Sequence, residues 1–471
     1  MTLEKHRPAP LLVVPLLLGL AGCAASIAEQ GMADVARMTE GPVGKPVVWI
    51  RTDEEATKAR ERTTELLTRP LSAEAAVEIA LLNNRALQAS LASLGVGAAD
   101  LARARLPDAP GLSFSRKTRG DELEIERAIT LNILGILTLP IRAGMEERNF
   151  EQTKLATAQD VLGLAAQTRR AYFEAVAAVQ ATEIVTKAVD VASARAEIAK
   201  RLAEGGNWSP LNYIREQSFY AESAVMRTRA RLNATVAREK LVKSMGLYGN
   251  DLAFRLPDRL PDLPPEAADI ADAETRAVTE RLDIQMAKSR IDRLASSLGL
   301  TKATRFVDVL ELGLSSARET GKERQRGYEI HIEVPIFDFG ESKVARAEAI
   351  YLQAVNQLGE TAINARSDVR VAHARYRSSF DVSRQYRKEI LPMRQRISEE
   401  MVYRYNGMLA SVFELLADSR DELNIVMAAV EAERDFWLAD TDLNFALRAD
   451  VGAGSGGGSR TTAGPSAPAG H

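Results

Sequence analysis

Two stretches of this chain recur at one fixed distance. Gly111-Leu112-Ser113-Phe114-Ser115-Arg116 returns as Gly313-Leu314-Ser315-Ser316-Ala317-Arg318, 202 residues later. At the same offset Gly205, Ser209, Asn212 and Gln217 return as Gly407, Ser411, Glu414 and Ser419. The first pair lies on a strand-like pattern and the second at a break between helical stretches. A chain that carries a strand-plus-long-helix unit twice builds something with internal symmetry.

The unit can be read residue by residue. At Leu71-Ser72-Ala73-Glu74, Ser72 can cap free backbone amides and Glu74 puts negative charge in the first turn of a helix. Apolar residues from Ala76 to Leu94 keep helical spacing, and Pro107 and Pro110 end that region. A period-two pattern follows: Leu112 and Phe114, then Leu123, Ile125, Ile129, Leu131 and Ile133, alternate with polar residues around Arg119-Gly120-Asp121. From about Ile141 to Ala203 the helical period resumes, enough for roughly 95 Å of helix at 1.5 Å per residue. Gly205-Gly206-Asn207-Trp208-Ser209-Pro210 breaks it, and a second helix runs from Leu211 to Met245, which makes an antiparallel helical hairpin. Pro257, Pro261, Pro264 and Pro265 mark a linker. The second unit then begins: Arg281-Leu282 corresponds to Asn84-Arg85, Leu310 to Leu314 and Tyr328 to Ile336 alternate as strands, and helix runs from Glu341 to a break at Asn406-Gly407 and on to Ala446.

Composition excludes several functions. Aromatics are only 5% while Ala, Leu, Arg and Glu dominate, which suits long helices better than an enzyme core. A net charge of -3, with both signs interleaved, carries no nucleic-acid signature. Of the four histidines, His6 and His471 lie at the termini and His331 and His373 stand apart, without metal-ligand spacing. Gly95-Val96-Gly97 follows no strand and lacks a third glycine, so no dinucleotide loop is expected. The expectation is a protein that is no enzyme and uses no metal and no cofactor.

At the N-terminus Lys5 and Arg7 precede a short apolar run broken by Pro10 and Pro15, the pattern of a secretory signal. It ends at Leu20-Ala21-Gly22-Cys23, and Cys23 is the only cysteine, so it has no intramolecular disulfide partner. It is either a buried thiol or a modification site. Beyond it nothing approaches 18 consecutive apolar residues, so any bilayer crossing must use strands. Residues 24–70, with Gly41-Pro42 and Lys45-Pro46, read as a loop-like leader, and Val451 to His471 as a flexible tail.

Four strands cannot close a barrel, and lipid tolerates no open sheet edge, so membrane strands here must be pooled between chains. Three copies supply twelve strands, an even number within the range of outer-membrane barrels. At this point the chain resembles the TolC-like outer-membrane efflux channel family, in its lipoprotein branch. The resemblance rests on the lipobox-like Leu20-Ala21-Gly22-Cys23, on Leu71-Ser72-Ala73-Glu74-Ala75-Ala76 with Asn83-Asn84, on Val334-Pro335-Ile336-Phe337-Asp338-Phe339-Gly340, and on the two helix breaks, Arg201–Gln217 and Arg404–Ser419. It covers residues 23 to about 448. The first unit departs from it at Leu139-Pro140-Ile141-Arg142-Ala143, where Pro140 is expected in the first turn of the helix.

The resemblance implies a mainly α fold with membrane β: a trimeric twelve-stranded β-barrel continued by a long periplasmic α-helical barrel, built from two internal repeats per chain. It implies signal peptide 1–22, a leader 23–70 lipidated at Cys23, repeats at 71–256 and 271–448 joined by the linker 257–270, and a disordered tail 449–471. The implied function is the outer-membrane component of a tripartite efflux system, a passive conduit for small molecules, partnered by a periplasmic adaptor and an inner-membrane pump. The tip turns that would meet the adaptor are Gly205, Gly206, Ser209, Asn212, Gly407 and Ser411. The family's acidic positions map onto Asn212 and Glu414, and onto Arg215 and Ala417 three residues later, which leaves Glu414 and nearby Asp418 as constriction candidates. Glu414 has a plainer alternative role as a helix cap after Ser411. The acidic strand face of Glu122, Glu124, Glu126, Glu329 and Glu333 would line the barrel lumen, since charges facing lipid near the midplane cost several kcal/mol each. The rival reading, a lipid-anchored periplasmic coiled coil, leaves the alternating strands unexplained.

Overall fold

The computed structural model describes residues 14–269 and 272–450, without the side chains of residues 14–23, 412, 413 and 416. Most of the expected signal peptide and tail therefore lie outside the described residues, as does the side chain of Cys23. Helix α1 (Val14–Val43) and helix α2 (Asp53–Leu67) come first. The loop-like reading of residues 24–70 is thus corrected. Helix α2 is so polar that only Ala59 and Thr63 are buried, which erases the apolar period, but its ends are explicit. Thr52 and Glu55 form a reciprocal capping box there. Helix α1 is held by tertiary packing of Ala28 and Val35 against the core rather than by a local signal.

Helices α3 (Ala73–Asn83) and α4 (Arg85–Ala104) follow, capped by Ser72 and Asn84. Strands β1 (Gly111–Arg119) and β2 (Glu122–Asn132) form the first hairpin, and helix α5 (Ile133–Glu204) leaves it directly. At 72 residues α5 is about 108 Å long. It starts eight residues before the expected point, so Pro140 is interior rather than in the first turn. Asn132 supplies the early start by accepting a hydrogen bond from the Gly135 N–H. Around the proline, Arg142 donates to the Gly135 carbonyl (2.8 Å) and Thr138 to the Leu134 carbonyl (2.8 Å), which gives acceptors near the break side-chain partners.

Helix α6 (Pro210–Met245) runs back along α5 and ends at Gly246, whose φ of 67° and close approach to the Asn83 backbone leave no room for a Cβ. The linker carries one short 3-10 turn, Gly249–Leu252. Helices α7 (Ala273–Glu280) and α8 (Leu282–Ala303) mirror α3 and α4. At the break between them the buried Arg281, paired with Asp283 at 2.7 Å, stands where the first unit has Asn84. Strands β3 (Val309–Glu319) and β4 (Gln325–Glu333) complete the sheet. The last long hairpin is α9 (Glu341–Gln385), α10 (Leu391–Asn406) and α11 (Val412–Ala446). One wide π turn, Tyr386–Ile390, separates α9 from α10. Pro392 follows it and lacks the N–H that a regular helix would need, so the ladder widens by one residue instead of breaking.

The sheet is antiparallel in the order β1-β2-β3-β4, open, with β1 and β4 as its edges. The core lies along the long helices. Ile79, Phe173, Leu241 and Met245 form one cluster and Tyr376, Phe380, Phe436 and Leu443 another. Trp437 joins them, stacked on Phe173 at 5.1 Å and edge-on to Phe436 at 5.1 Å. The linker is strapped across this belt where the Trp437 indole N–H donates to the Pro261 carbonyl at 3.1 Å.

Candidate functional site: two helix-break tips and an amphipathic sheet

The tips and the sheet sit at opposite ends of α5, which begins at Asn132 and ends at Gly205. The two tips share one backbone. Gly205 has φ -76° and ψ 0°, and its repeat mate Gly407 has -81° and 6°. In the first tip, N–H groups of Gly205, Gly206 and Asn207 donate to carbonyls of Arg201, Ala203 and Leu202. In the second, those of Gly407, Met408 and Leu409 donate to Tyr403, Tyr405 and Arg404, each 202 residues on. The left-handed position is Gly206 (φ 74°) in one copy and Met408 (φ 58°) in the other. Met408 therefore carries backbone strain that its glycine mate does not.

After each turn a serine caps the returning helix. The Ser209 hydroxyl accepts from the Asn212 N–H at 3.3 Å, and Ser411 accepts from the Glu414 N–H at 3.3 Å. Glu414 reciprocates, accepting from the Ser411 N–H at 2.6 Å and from its hydroxyl at 2.9 Å. Those hydrogen bonds hold the exposed Glu414 carboxyl below its ordinary range, so it stays ionised. Glu414 thus acts as a helix cap while its carboxylate remains at the surface.

Asp418 lies elsewhere. It is 7% exposed, and its Oδ1 accepts from the Arg394 guanidinium at 2.5 Å. Arg394 also donates to the Asp418 carbonyl, and Ser398 donates to Oδ2 at 2.9 Å. The Asp418 carboxylate, a constriction candidate in the sequence, thus ties α10 to α11. Its repeat mate is Glu216, not expected from the sequence, and the two acids lie one position beyond Arg215 and Ala417. Both acids stand seven residues after the capping serine, and that shared spacing was the available signal. Glu216 is 2% exposed, and its Oε2 accepts no hydrogen bond. Burial pushes its carboxyl up, against the opposing pull of Arg195 and Arg420. The next pair, Gln217 and Ser419, both reach α5: Gln217 donates to the Ala196 carbonyl at 3.5 Å, and Arg195 donates to the Ser419 hydroxyl at 3.0 Å.

At the other end the register separates two faces. One carries Ser115, Lys117, Glu124, Glu126, Ser315, Glu319 and Glu329, and there charges of opposite sign meet, as between Lys117 and Glu126 at 3.8 Å. Glu122 and Glu333 fall on the same face, so all five acids of the expected polar face share it. On the other face Leu112, Ile129, Leu314 and Tyr328 form one cross-strand row, and Leu131, Leu312 and Ile330 the next. The apolar surface continues past the strands through exposed Ile136, Leu137, Ile336 and Phe337, the last 98% exposed. Monomeric soluble proteins rarely show so large a contiguous apolar surface.

No protein-family model matches the chain, and no curated protein matches its sequence. Solved structures do match. The chain is similar to CusC, whose structures concern folding and transmembrane channel formation, with a TM-score of 0.68 at 16% identity over 80% of this chain and 92% of that one. It is similar to the Campylobacter jejuni outer-membrane channel CmeC, with a TM-score of 0.65 at 16% identity over 84% and 85%. The outer-membrane channel OprN matches with a TM-score of 0.65 at 17% identity over 87% and 95%. The chain has the fold of these outer-membrane channels. In this channel fold the amphipathic sheet and the helix-break tips lie at the two ends of the long helix α5. Among the described residues no helix is long and apolar enough to cross a membrane, and no cluster of metal-ligating side chains occurs.

Proposed function

We infer that three copies of this chain pool their sheets into a closed twelve-stranded barrel in the bacterial outer membrane, with the helices forming a periplasmic tube. The observation that carries this reading is the open four-stranded sheet, apolar on one face and charged on the other, with unpaired edges at β1 and β4. Such an edge is excluded from hydrocarbon unless a neighbour completes it, and a neighbour's β4 can complete β1 in a ring. The channel fold, shared over four-fifths of this chain or more with the structures above, supports the same conclusion.

The protein then serves as the passive outer conduit of a tripartite efflux system and performs no chemistry of its own. Cys23 is its lipid anchor. The tips around Gly205, Gly206, Ser209, Asn212, Gly407 and Ser411 meet a periplasmic adaptor bound to an inner-membrane pump. Glu414 supplies a carboxylate to the constriction, and Asp418 stiffens it through Arg394. The rival reading, a lipid-tethered coiled coil, gives the exposed apolar sheet face no partner.

The deciding test is electrophoretic and electrical. The membrane fraction should yield a trimer that resists SDS until boiled, and the purified trimer should conduct ions in planar bilayers. A monomer stripped from membranes by carbonate, with no conductance, refutes the proposal.

A further inference from the structure

The lipid-facing side of the sheet is not apolar throughout. Above the Leu112–Ile129–Leu314–Tyr328 row, each of the four strands contributes one arginine to the apolar face: Arg116 from β1, Arg127 from β2, Arg318 from β3 and Arg326 from β4. Arg116 lies opposite Ile125, two residues from Arg127; Arg127 lies opposite Ser316, two residues from Arg318; and Ser316 lies opposite Arg326. Successive arginines are therefore diagonal neighbours, roughly 7–8 Å apart across the strands. All four are exposed, and none of their guanidiniums has a hydrogen bond or ion pair among the described residues. The opposite face neutralises itself at the same level, with Glu124 facing Lys117 across the strands and Lys117 near Glu126. Four unpaired like charges in a zigzag repel one another unless an anion sits between them.

Their height fits one kind of anion. Strand β2 passes into α5 after Asn132 and β4 ends just before Val334, and Arg127 and Arg326 lie five and eight residues from these points toward the hairpin turns. With strands rising about 3.4 Å per residue and tilted about 40°, that puts the arginines roughly 13–21 Å above the junction. The apolar surface below the junction, around Leu137 and Phe337, completes a band of about 25 Å, the height of a barrel's lipid belt. The arginines thus mark its outer rim, with the exposed Tyr328 just beneath Arg326 as in an interfacial aromatic belt. A guanidinium binds phosphate through two parallel N–H donors, and adjacent guanidiniums can share one phosphate.

We propose that Arg116, Arg127, Arg318 and Arg326 form a lipid-facing collar, twelve guanidiniums in the trimer, that holds the phosphates of an anionic glycolipid in the outer leaflet. The inference rests on the membrane-barrel reading above. Full-length trimer, delipidated in detergent, is titrated with a disaccharide-bisphosphate lipid (lipid A), with its enzymatically dephosphorylated form, and with phosphatidylcholine, and bound copies are counted by native mass spectrometry. The expected result is at least ~tenfold tighter binding of the bisphosphorylated form, lost in an Arg116→Gln, Arg127→Gln, Arg318→Gln, Arg326→Gln variant and weakened by added salt. Ten millimolar inorganic phosphate should not displace the lipid, because acyl chains on the apolar band hold it in place. Equal binding of the three lipids by wild type, unchanged binding by the variant, or displacement by inorganic phosphate overturns the collar. The wild-type comparison of phosphorylated with dephosphorylated lipid decides the matter even if the quadruple variant fails to assemble. A wild-type trimer that conducts yet shows no phosphate preference refutes the collar alone. Absence of any conducting trimer refutes the barrel, and the collar with it.

Discussion

Replacing Asp418 with alanine should unlock the second tip while leaving the rest of the chain in place. The Arg394 side chain is 10% exposed and that of Asp418 6% exposed, so the substitution leaves a guanidinium in the protein without its counter-charge. Breaking a buried pair from one side costs about 3–5 kcal/mol, far more than the 0–1 kcal/mol of a surface pair. Ser398 also loses one acceptor, although it retains Glu422 at 3.1 Å. At about 1.4 kcal/mol per factor of ten, amide exchange across α10 and the first half of α11 should accelerate by roughly two to three and a half powers of ten. Hydrogen-exchange mass spectrometry on the full-length protein reads this peptide by peptide, with the core around Phe173 and Trp437 as the internal reference. Removing both charges, as Arg394→Leu with Asp418→Leu, should restore most of the protection, because no orphaned ion then remains. Unchanged exchange in Asp418→Ala would refute the reasoning, as would a double variant no better than the single one.

Four further substitutions test the two tips. Met408→Gly should stabilise the second turn by roughly 0.5–1 kcal/mol, since the left-handed penalty slightly exceeds the added chain entropy; Gly206→Ala, in open space, should cost about 1 kcal/mol, both read by local exchange. Glu216 has its carboxyl raised by burial, so between the ordinary value of 4.5 and its raised one the folded state binds more protons than the unfolded state. Its contribution to tip stability therefore falls as pH rises through that window, and Glu216→Gln should remove this slope and raise protection at neutral pH while leaving acidic pH unaffected. Glu414→Gln should reduce cation preference in planar bilayers if its carboxylate lines the constriction, and an unaltered reversal potential would exclude it from that role.

What the sequence revealed depended on whether a feature leaves a local periodic trace. The hairpins were legible because alternation at Leu112–Phe114 and Leu310–Leu314 survives without any knowledge of partners. The tips were legible because glycine, proline and a capping serine recur at a fixed offset. Helix α2 was missed because its stability comes from the capping box at Thr52 and Glu55 and from one narrow seam, so no apolar period exists to detect. The early start of α5 is hidden because a proline ordinarily marks the first turn of a helix, whereas here the Asn132 cap and the Arg142 and Thr138 side chains let the helix run through it. The π turn at Tyr386–Ile390 had a trace in Pro392, but one proline does not distinguish a wide turn from a kink. The Arg394–Asp418 lock joins residues 24 apart on antiparallel helices, and nothing in a one-dimensional pattern specifies that alignment.

The unequal copies then acquire a physical meaning. Two tips with the same backbone hydrogen bonds ought to respond alike to load, yet their repeat-related acids differ in state. Asp418 is neutralised by Arg394 and further held by Ser398, whereas Glu216 is buried with an unpartnered oxygen and only indirect help from Arg195 and Arg420. The strained turn, at Met408, belongs to the tip with the firm ionic lock, and the relaxed turn, at Gly206, to the tip without one. Strain persists only where surrounding contacts over-determine it, so the lock and the strain belong together. Loosening the lock should release the strained turn as well. The second hairpin is therefore the more firmly tied of the two, and the first the more loosely held.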